Sequence, residues 1–353
     1  MAVASPLWGV LADRYGRKPM LLRAMLGGGL TVGLMGFAQT ALQLTGLRLL
    51  QGALSGTVPA ATAIVASQTP RHRVAWALGV LSSAIALGSA VGPAVGGLAG
   101  NLFGLRTVFL SGGVLLLVSM LPVVLVVKDV SIRATADDAP RALERLRASR
   151  PGTIPALAVL IGGNALMMSS YTATAQLVAL RVVQLVPATA ATVTGIAFSI
   201  GGIATALAGI SYSRAVKVGG YRNVTAAAAL LMAGMVALAG IAPSLAFLVA
   251  SFVLVNFLFG ALGPALTSMI GLETPARVQA TVYGVNGSAF SVGFGVGPLV
   301  GGLVAASAGV QAGLLLAAAI ALLLAGTLWF RAREPAPAII RPDREPQPRT
   351  IQP

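Results

Sequence analysis

TPRHRVAWALGVLSSAIALGSAVGPAVGGL (69–98) and TPARVQATVYGVNGSAFSVGFGVGPLVGGL (274–303) are one block written twice. Aligned at a constant offset of 205 without a gap, they agree at 15 of 30 positions, and Pro59 and Pro264 keep the same offset. Ala, Val and Gly coincide by chance in any apolar helical sequence. A run such as Val-Gly-Pro-x-Val-Gly-Gly-Leu does not. The repeat predicts two halves of like topology joined by a linker, the parallel arrangement that places a shared site near the middle of a membrane.

Composition points the same way. The chain of 353 residues is 56% hydrophobic, has a mean hydropathy of +0.88, and carries only 9% charged residues. A soluble domain needs roughly a quarter, so this surface faces lipid. The 43 glycines fit helices that pack closely there. The net charge of +15 could indicate nucleic acid, but the cations sit in short loops and one tail rather than on one face, which argues against it. There are no cysteines, and the lone His72 cannot hold a metal by itself. No nucleophile–base pair appears, so the chain does not read as an enzyme, and no cofactor or metal site is implied.

Apolar stretches of about 20 residues, long enough to cross the hydrocarbon core, recur along the chain. Residues 1–11 read as the end of a helix. Spans follow at about 19–38, 42–66, 75–99 and 106–127, then at about 153–178, 188–212, 223–241, 245–272, 279–306 and 310–330. The domain reading is an N-terminal helical half at 1–127, a linker at 128–152, a C-terminal helical half at 153–330 and a disordered tail at 331–353. If one helix precedes the first span, 21 of the 24 Lys and Arg residues fall in alternate loops, the linker and the tail. Only Arg106 and Arg181 fall on the opposite side, and Arg48 lies inside a span. This asymmetry places linker and tail in the cytoplasm of a multi-pass inner-membrane protein.

GVLADRYGRKPML (9–21) is the most specific motif. With Gly9, Asp13, Arg14, Gly16, Arg17 and Lys18 in place, it resembles the loop motif of the major facilitator superfamily. Gly16 permits a tight turn. The resemblance implies an all-α fold of two six-helix halves, here about 11 helices because the first helix and part of the second are absent. It also implies that Asp13 faces a helix N-terminus of the other half, where the dipole favours a carboxylate, as a conformational latch. The basic cluster could instead only anchor topology. In the degenerate copy GISYSRAVKVGGYR (209–222), Ser213 stands in place of the acid. Arg48, Gln51 and Gly52 match the family's membrane arginine motif, which implies a part in proton coupling; the alternative is an arginine bonded to backbone carbonyls, since a charge at that depth needs a partner. Gly88, Gly92, Pro93, Gly96 and Gly97 resemble the antiporter helix motif. Pro93 kinks the helix, and the glycines allow close packing against the other half, with or without a role in exchange. Residues 9–128 are similar to drug-resistance exporters of the MdtG type.

The resemblance also says which helices line the central cavity. Asn164, Met168 and Tyr171, Asn256 and Phe259, and Asn286 and Phe290 fall on three of them. Met and aromatic faces suit varied lipophilic cations; alternatively each Asn bonds a neighbouring helix and each Phe faces lipid. All nine acids lie in or beside loops. The implied function is export of small lipophilic or drug-like molecules in exchange for protons by alternating access, by a monomer in the lipid bilayer. The rival expectations are an exporter of one metabolite, such as a sugar or amino-acid derivative, and a truncated inactive membrane remnant.

Overall fold

The computed structural model describes residues 17–54, 56–69, 74–127, 152–274 and 279–334, and every regular element among them is helical. The first group is α1 (Arg17–Met35), α2 (Ala41–Leu54), α3 (Thr57–Gln68), α4 (Val74–Phe103) and α5 (Leu105–Val126). The second is α6 (Thr153–Leu185), α7 (Ala190–Gly219), α8 (Tyr221–Gly240), α9 (Leu245–Glu273), α10 (Gln279–Ala308) and α11 (Val310–Arg331), with a short 3-10 turn at Pro187–Thr189 before α7. Seven of these, namely α5, α6, α8, α9 and α11 and most of α7 and α10, are long and apolar enough to cross a membrane. The chain is a multi-pass membrane protein. The expected helix end at 1–11, linker residues 128–151 and tail residues 335–353 lie outside the described residues.

One expected span is corrected. Residues 42–66 do not form one helix: α2 ends at Leu54 and α3 begins at Thr57, with Gly56 at φ +135° between them. The repeat supplies the reason. At the offset of 205, Gly56 corresponds to Ala261, which lies inside the uninterrupted α9. Only glycine enters that backbone region cheaply, so the first half can break where the second cannot. Pro59 and Pro264 are common to both halves, so proline does not decide the difference.

Helices in lipid gain little from hydrophobic burial against one another, so close backbone approach must hold them. In the first group α1 crosses α5 through glycines. A Cβ on Gly113 would lie 2.7 Å from Gly33 Cα and 2.8 Å from the Gly29 carbonyl oxygen. The second group has a large core, in which Met167, Met232, Leu266, Met269 and Leu324 are fully buried between α6, α8, α9 and α11. The outward faces are apolar: Leu125 and Phe330 are each 82% exposed. Such exposure would be a liability in water and is ordinary in a bilayer. The principal contact between the two groups is α4 against α7.

A side chain at Gly113 must push α1 from α5. Gly113→Leu is expected to cost about 1–3 kcal/mol through overpacking and to lower the thermal unfolding midpoint in detergent. Gly234→Ala, where a Cβ meets nothing within 4 Å, is expected to leave it unchanged. Equal midpoints for the two variants would remove the α1–α5 crossing as a stabilising contact.

Candidate functional site

The seam between α4 and α7 is built from small residues and a proline. Pro93 lies inside α4 and has no N–H to donate. One residue on, the Ala94 N–H donates to Ser199 Oγ of α7 at 2.9 Å. Further along, Asn101 Nδ2 donates to Thr192 Oγ1 at 2.5 Å. Gly97 and Gly195 face each other, with Gly97 against the Ala191 carbonyl and Gly195 against that of Pro93. Gly202 meets Ala90, whose Cα would stand 3.1 Å from an added Cβ. Any side chain at these glycines would separate the groups.

Of the five motif residues on α4, Pro93 and Gly97 thus face the second group. Gly88, Gly92 and Gly96 have no atom of the described residues within 4 Å of a Cβ position. Their counterparts at the offset of 205 are Gly293, Gly297 and Gly301. Those three are filled by α6: Gly293 lies against the Ala165 carbonyl, Gly297 against that of Ser169, and Gly301 3.1 Å from the Ala173 Cβ.

Beside the seam is a cavity of about 1200 Å³. Both groups contribute to it: Pro93, Gly97 and Asn101 from α4, Gln176 and Leu180 from α6, Thr194 and Phe198 from α7, and Pro298 and Gly302 from α10. Its wall is mainly apolar, with a few amides and hydroxyls and no formal charge. Asn101, Gln176, Thr194 and Phe198 did not stand out in the sequence. Gln176 follows a run of hydroxyl residues, Ser169, Ser170, Thr172 and Thr174, which hides it as a signal in the sequence.

Of the seven residues expected to meet a substrate, five form two contact sets, Asn164 with Asn286 and Tyr171 with Asn256 and Phe259, and none of the seven lines this cavity. Asn164 Nδ2 donates to Asn286 Oδ1 at 2.8 Å, joining α6 to α10. The Tyr171 hydroxyl donates to Asn256 Oδ1 at 2.9 Å, joining α6 to α9. Asn256 Nδ2 donates to the Phe252 carbonyl at 2.9 Å. The Tyr171 ring stacks on Phe259 with centroids 3.9 Å apart and planes 12° from parallel. Asn164, Asn256 and Met168 are buried, whereas Phe290 is 37% exposed. Here each amide ties one helix to another or to its own backbone.

Arg48 is exposed among the described residues, and its Nη1 donates to Gln51 Oε1 at 3.1 Å. Gly52 follows on the same helix, α2. Of the latch motif, Gly9, Asp13, Arg14 and Gly16 lie outside the described residues, and Arg17 opens α1. Lys18 Nζ donates to the Val124 carbonyl at 2.8 Å, tying the start of α1 to the end of α5. The only acids among the described residues are Glu273, at the end of α9, and Glu334, just beyond α11.

The chain resembles known transporters at several levels. A protein named multidrug resistance protein MdtG from Rahnella sp. (strain Y9602) is 33% identical over 344 residues, covering 96% of this chain and 82% of that protein. MdtG from Klebsiella pneumoniae (strain 342) is 30% identical over 350 residues, covering 97% and 83%. The multi-drug resistance efflux pump PmrA of Streptococcus pneumoniae is 44% identical over 128 residues, a match that spans 36% of this chain and 32% of PmrA. The fold is similar to a crystal structure of the human organic anion transporter MFSD10 (TETRAN), with a TM-score of 0.63 and 22% identity over 93% of this chain and 80% of that one. The Major Facilitator Superfamily model matches residues 1–209 and 158–353, and with two relatives aligned along nearly its whole length the chain belongs to that superfamily of transporters, not to an enzyme family.

Proposed function

We propose that this chain exports small lipophilic, drug-like molecules from the cell in exchange for protons, by alternating access between its two halves. The carrying observation is the cavity of about 1200 Å³ lined from both groups beside a seam of glycines. A pocket with many apolar walls and few polar groups selects by shape and hydrophobicity rather than by charge pairing. Small-residue seams let two rigid bodies rock with little steric cost. The names of the MdtG and PmrA relatives support the substrate class.

In this reading Asp13 with the surrounding Gly9, Arg14, Gly16, Arg17 and Lys18 latches the cytoplasmic side, and the linker and tail lie on that side. Gly97 and Pro93 form the bearing surface on α4. No carboxylate lies within α1–α8, α10 or α11, and Glu273 is the last residue of α9. Arg48 with Gln51 and Gly52, which match the family's membrane arginine motif, is the candidate for a part in proton coupling. The transporter works as a monomer.

Loading of efflux-deficient bacteria with a fluorescent lipophilic cation tests the reading. Expression of the chain is expected to lower dye accumulation severalfold, and an uncoupler is expected to abolish the difference. Accumulation unchanged by expression, with the protein confirmed in the membrane, would sink export of that class and favour a narrow metabolite exporter or an inactive remnant. Gly97→Leu is expected to stop efflux while membrane yield persists, because its side chain would meet the Ala191 carbonyl.

Two further variants separate wall from scaffold. Gln176→Ala changes a cavity-lining residue and is expected to raise the half-saturating dye concentration with little change in thermal stability. Asn164→Ala removes the hydrogen bond to the half-buried Asn286, worth about 0.5–1.5 kcal/mol, and is expected to lower the unfolding midpoint instead. The reverse pattern would move the binding surface to the Asn164–Asn286 cluster.

A further inference from the structure

At one end of the second group lies a separate pocket of about 760 Å³, formed by the first turn of α6, the start of α8 and the end of α11. Three arginines line it: Arg222, Arg331 and Arg333. Arg333 fits because residue 152 is glycine at φ +92°; a Cβ there would fall 2.5 Å from the Arg333 guanidinium. Arg222 donates through Nη2 to the Trp329 carbonyl at 2.6 Å, while its Nε is buried with no hydrogen-bond partner among the described residues. A buried guanidinium N–H without an acceptor is costly.

Among the described residues the one acid lining the pocket, Glu334, is already committed. Its Oε1 accepts from the Tyr221 N–H at 2.6 Å and its Oε2 from the Arg222 N–H at 2.8 Å. It caps the first turn of α8, where the helix dipole favours a carboxylate. Among the described residues, three cations against one acid leave the pocket positive.

Depth decides which anion fits. Three candidate membrane spans terminate here: one begins at Thr153, one begins at Tyr221 and one ends at Arg331. The pocket therefore sits at headgroup level. Towards the bilayer its wall turns apolar, with exposed Pro155 and Ala158, half-buried Val159, and Phe330 at 82% exposure. A cationic mouth above an apolar wall open to lipid matches a phosphate ester with acyl chains. A soluble anion would use the mouth and leave the wall empty. We infer that this pocket is a binding site for an anionic glycerophospholipid, with the phosphate held by Arg222, Arg331 and Arg333 and one acyl chain laid along Pro155, Val159 and Phe330.

The full-length protein, delipidated in a neutral detergent, provides the test. Native mass spectrometry with phosphatidylglycerol, and separately with phosphatidylcholine of the same chains, reads retention directly. Phosphatidylglycerol is expected to remain bound at least tenfold more tightly and to raise the thermal midpoint. The double variant Arg331→Gln/Arg333→Gln is expected to lose roughly tenfold or more of that preference, in line with about one favourable interaction per cation near a lipid surface, while keeping the wild-type midpoint without lipid. Arg106→Gln, on a different helix end, is expected to change nothing. Phe330→Ala is expected to weaken retention of the acylated lipid. Equal retention of the two lipids, or a double variant that binds like the parent, would overturn the proposal. Displacement of phosphatidylglycerol by millimolar inorganic phosphate, with no effect of Phe330→Ala, would overturn the lipid assignment and leave a soluble-anion site. None of these readouts depends on transport, so the pocket stands or falls apart from the export reading.

Discussion

Backbone contact between glycines is the constraint on which the rest of this molecule depends. In a bilayer the apolar faces of two helices lose nothing by facing lipid, so packing must come from close van der Waals approach. The α1–α5 crossing, the α4–α7 seam and the α6–α10 interface each rest on glycines whose missing Cβ lets a partner helix touch backbone. Polar ties are then added where helices are already close. Ala94 to Ser199, Asn101 to Thr192, and Asn164 to Asn286 are of this kind. The cavity beside the seam is lined in part by the same small residues, Pro93, Gly97 and Gly195.

Proline works with the glycines rather than against them. Pro93 deletes one donor from α4 and loosens the local ladder. The next residue's N–H reaches a serine on the facing helix. The donor missing at Pro93 is thus followed by a bond across the seam. Such a bond is worth about a kilocalorie per mole in lipid, weak enough to be exchanged when the halves move.

Much of this was legible in the sequence. Composition and span length predict the membrane helices, because the bilayer imposes one dominant rule on length and polarity. Periodic glycines predict close packing. The break at Gly56 was not read, because Pro59 and Pro264 are shared and only comparison with Ala261 separates the halves. Sequence could propose that Asn164, Tyr171, Asn256 and Asn286 lie near each other, but not which amide would be consumed by which neighbour. That choice depends on helix rotation, which an apolar helix of uniform character does not encode in its pattern. The cavity wall at Gln176 and Asn101 was missed for the same reason.

The repeated block shows how one sequence can serve two interfaces. It carries two stripes of small residues on different faces of its helix. One, at Gly293, Gly297 and Gly301, docks α6 within its own half. The other, at Ala90, Pro93 and Gly97, bears on α7 of the opposite half. Each copy contains both stripes, since Gly88, Gly92 and Gly96 answer to the first and Gly295, Pro298 and Gly302 to the second. Among the described residues, each copy is seen performing only one of the two tasks, and together they reveal both. The identities between copies are therefore concentrated where steric tolerance is least: a helix that must admit backbone on two faces has almost no freedom in which residues it can place there.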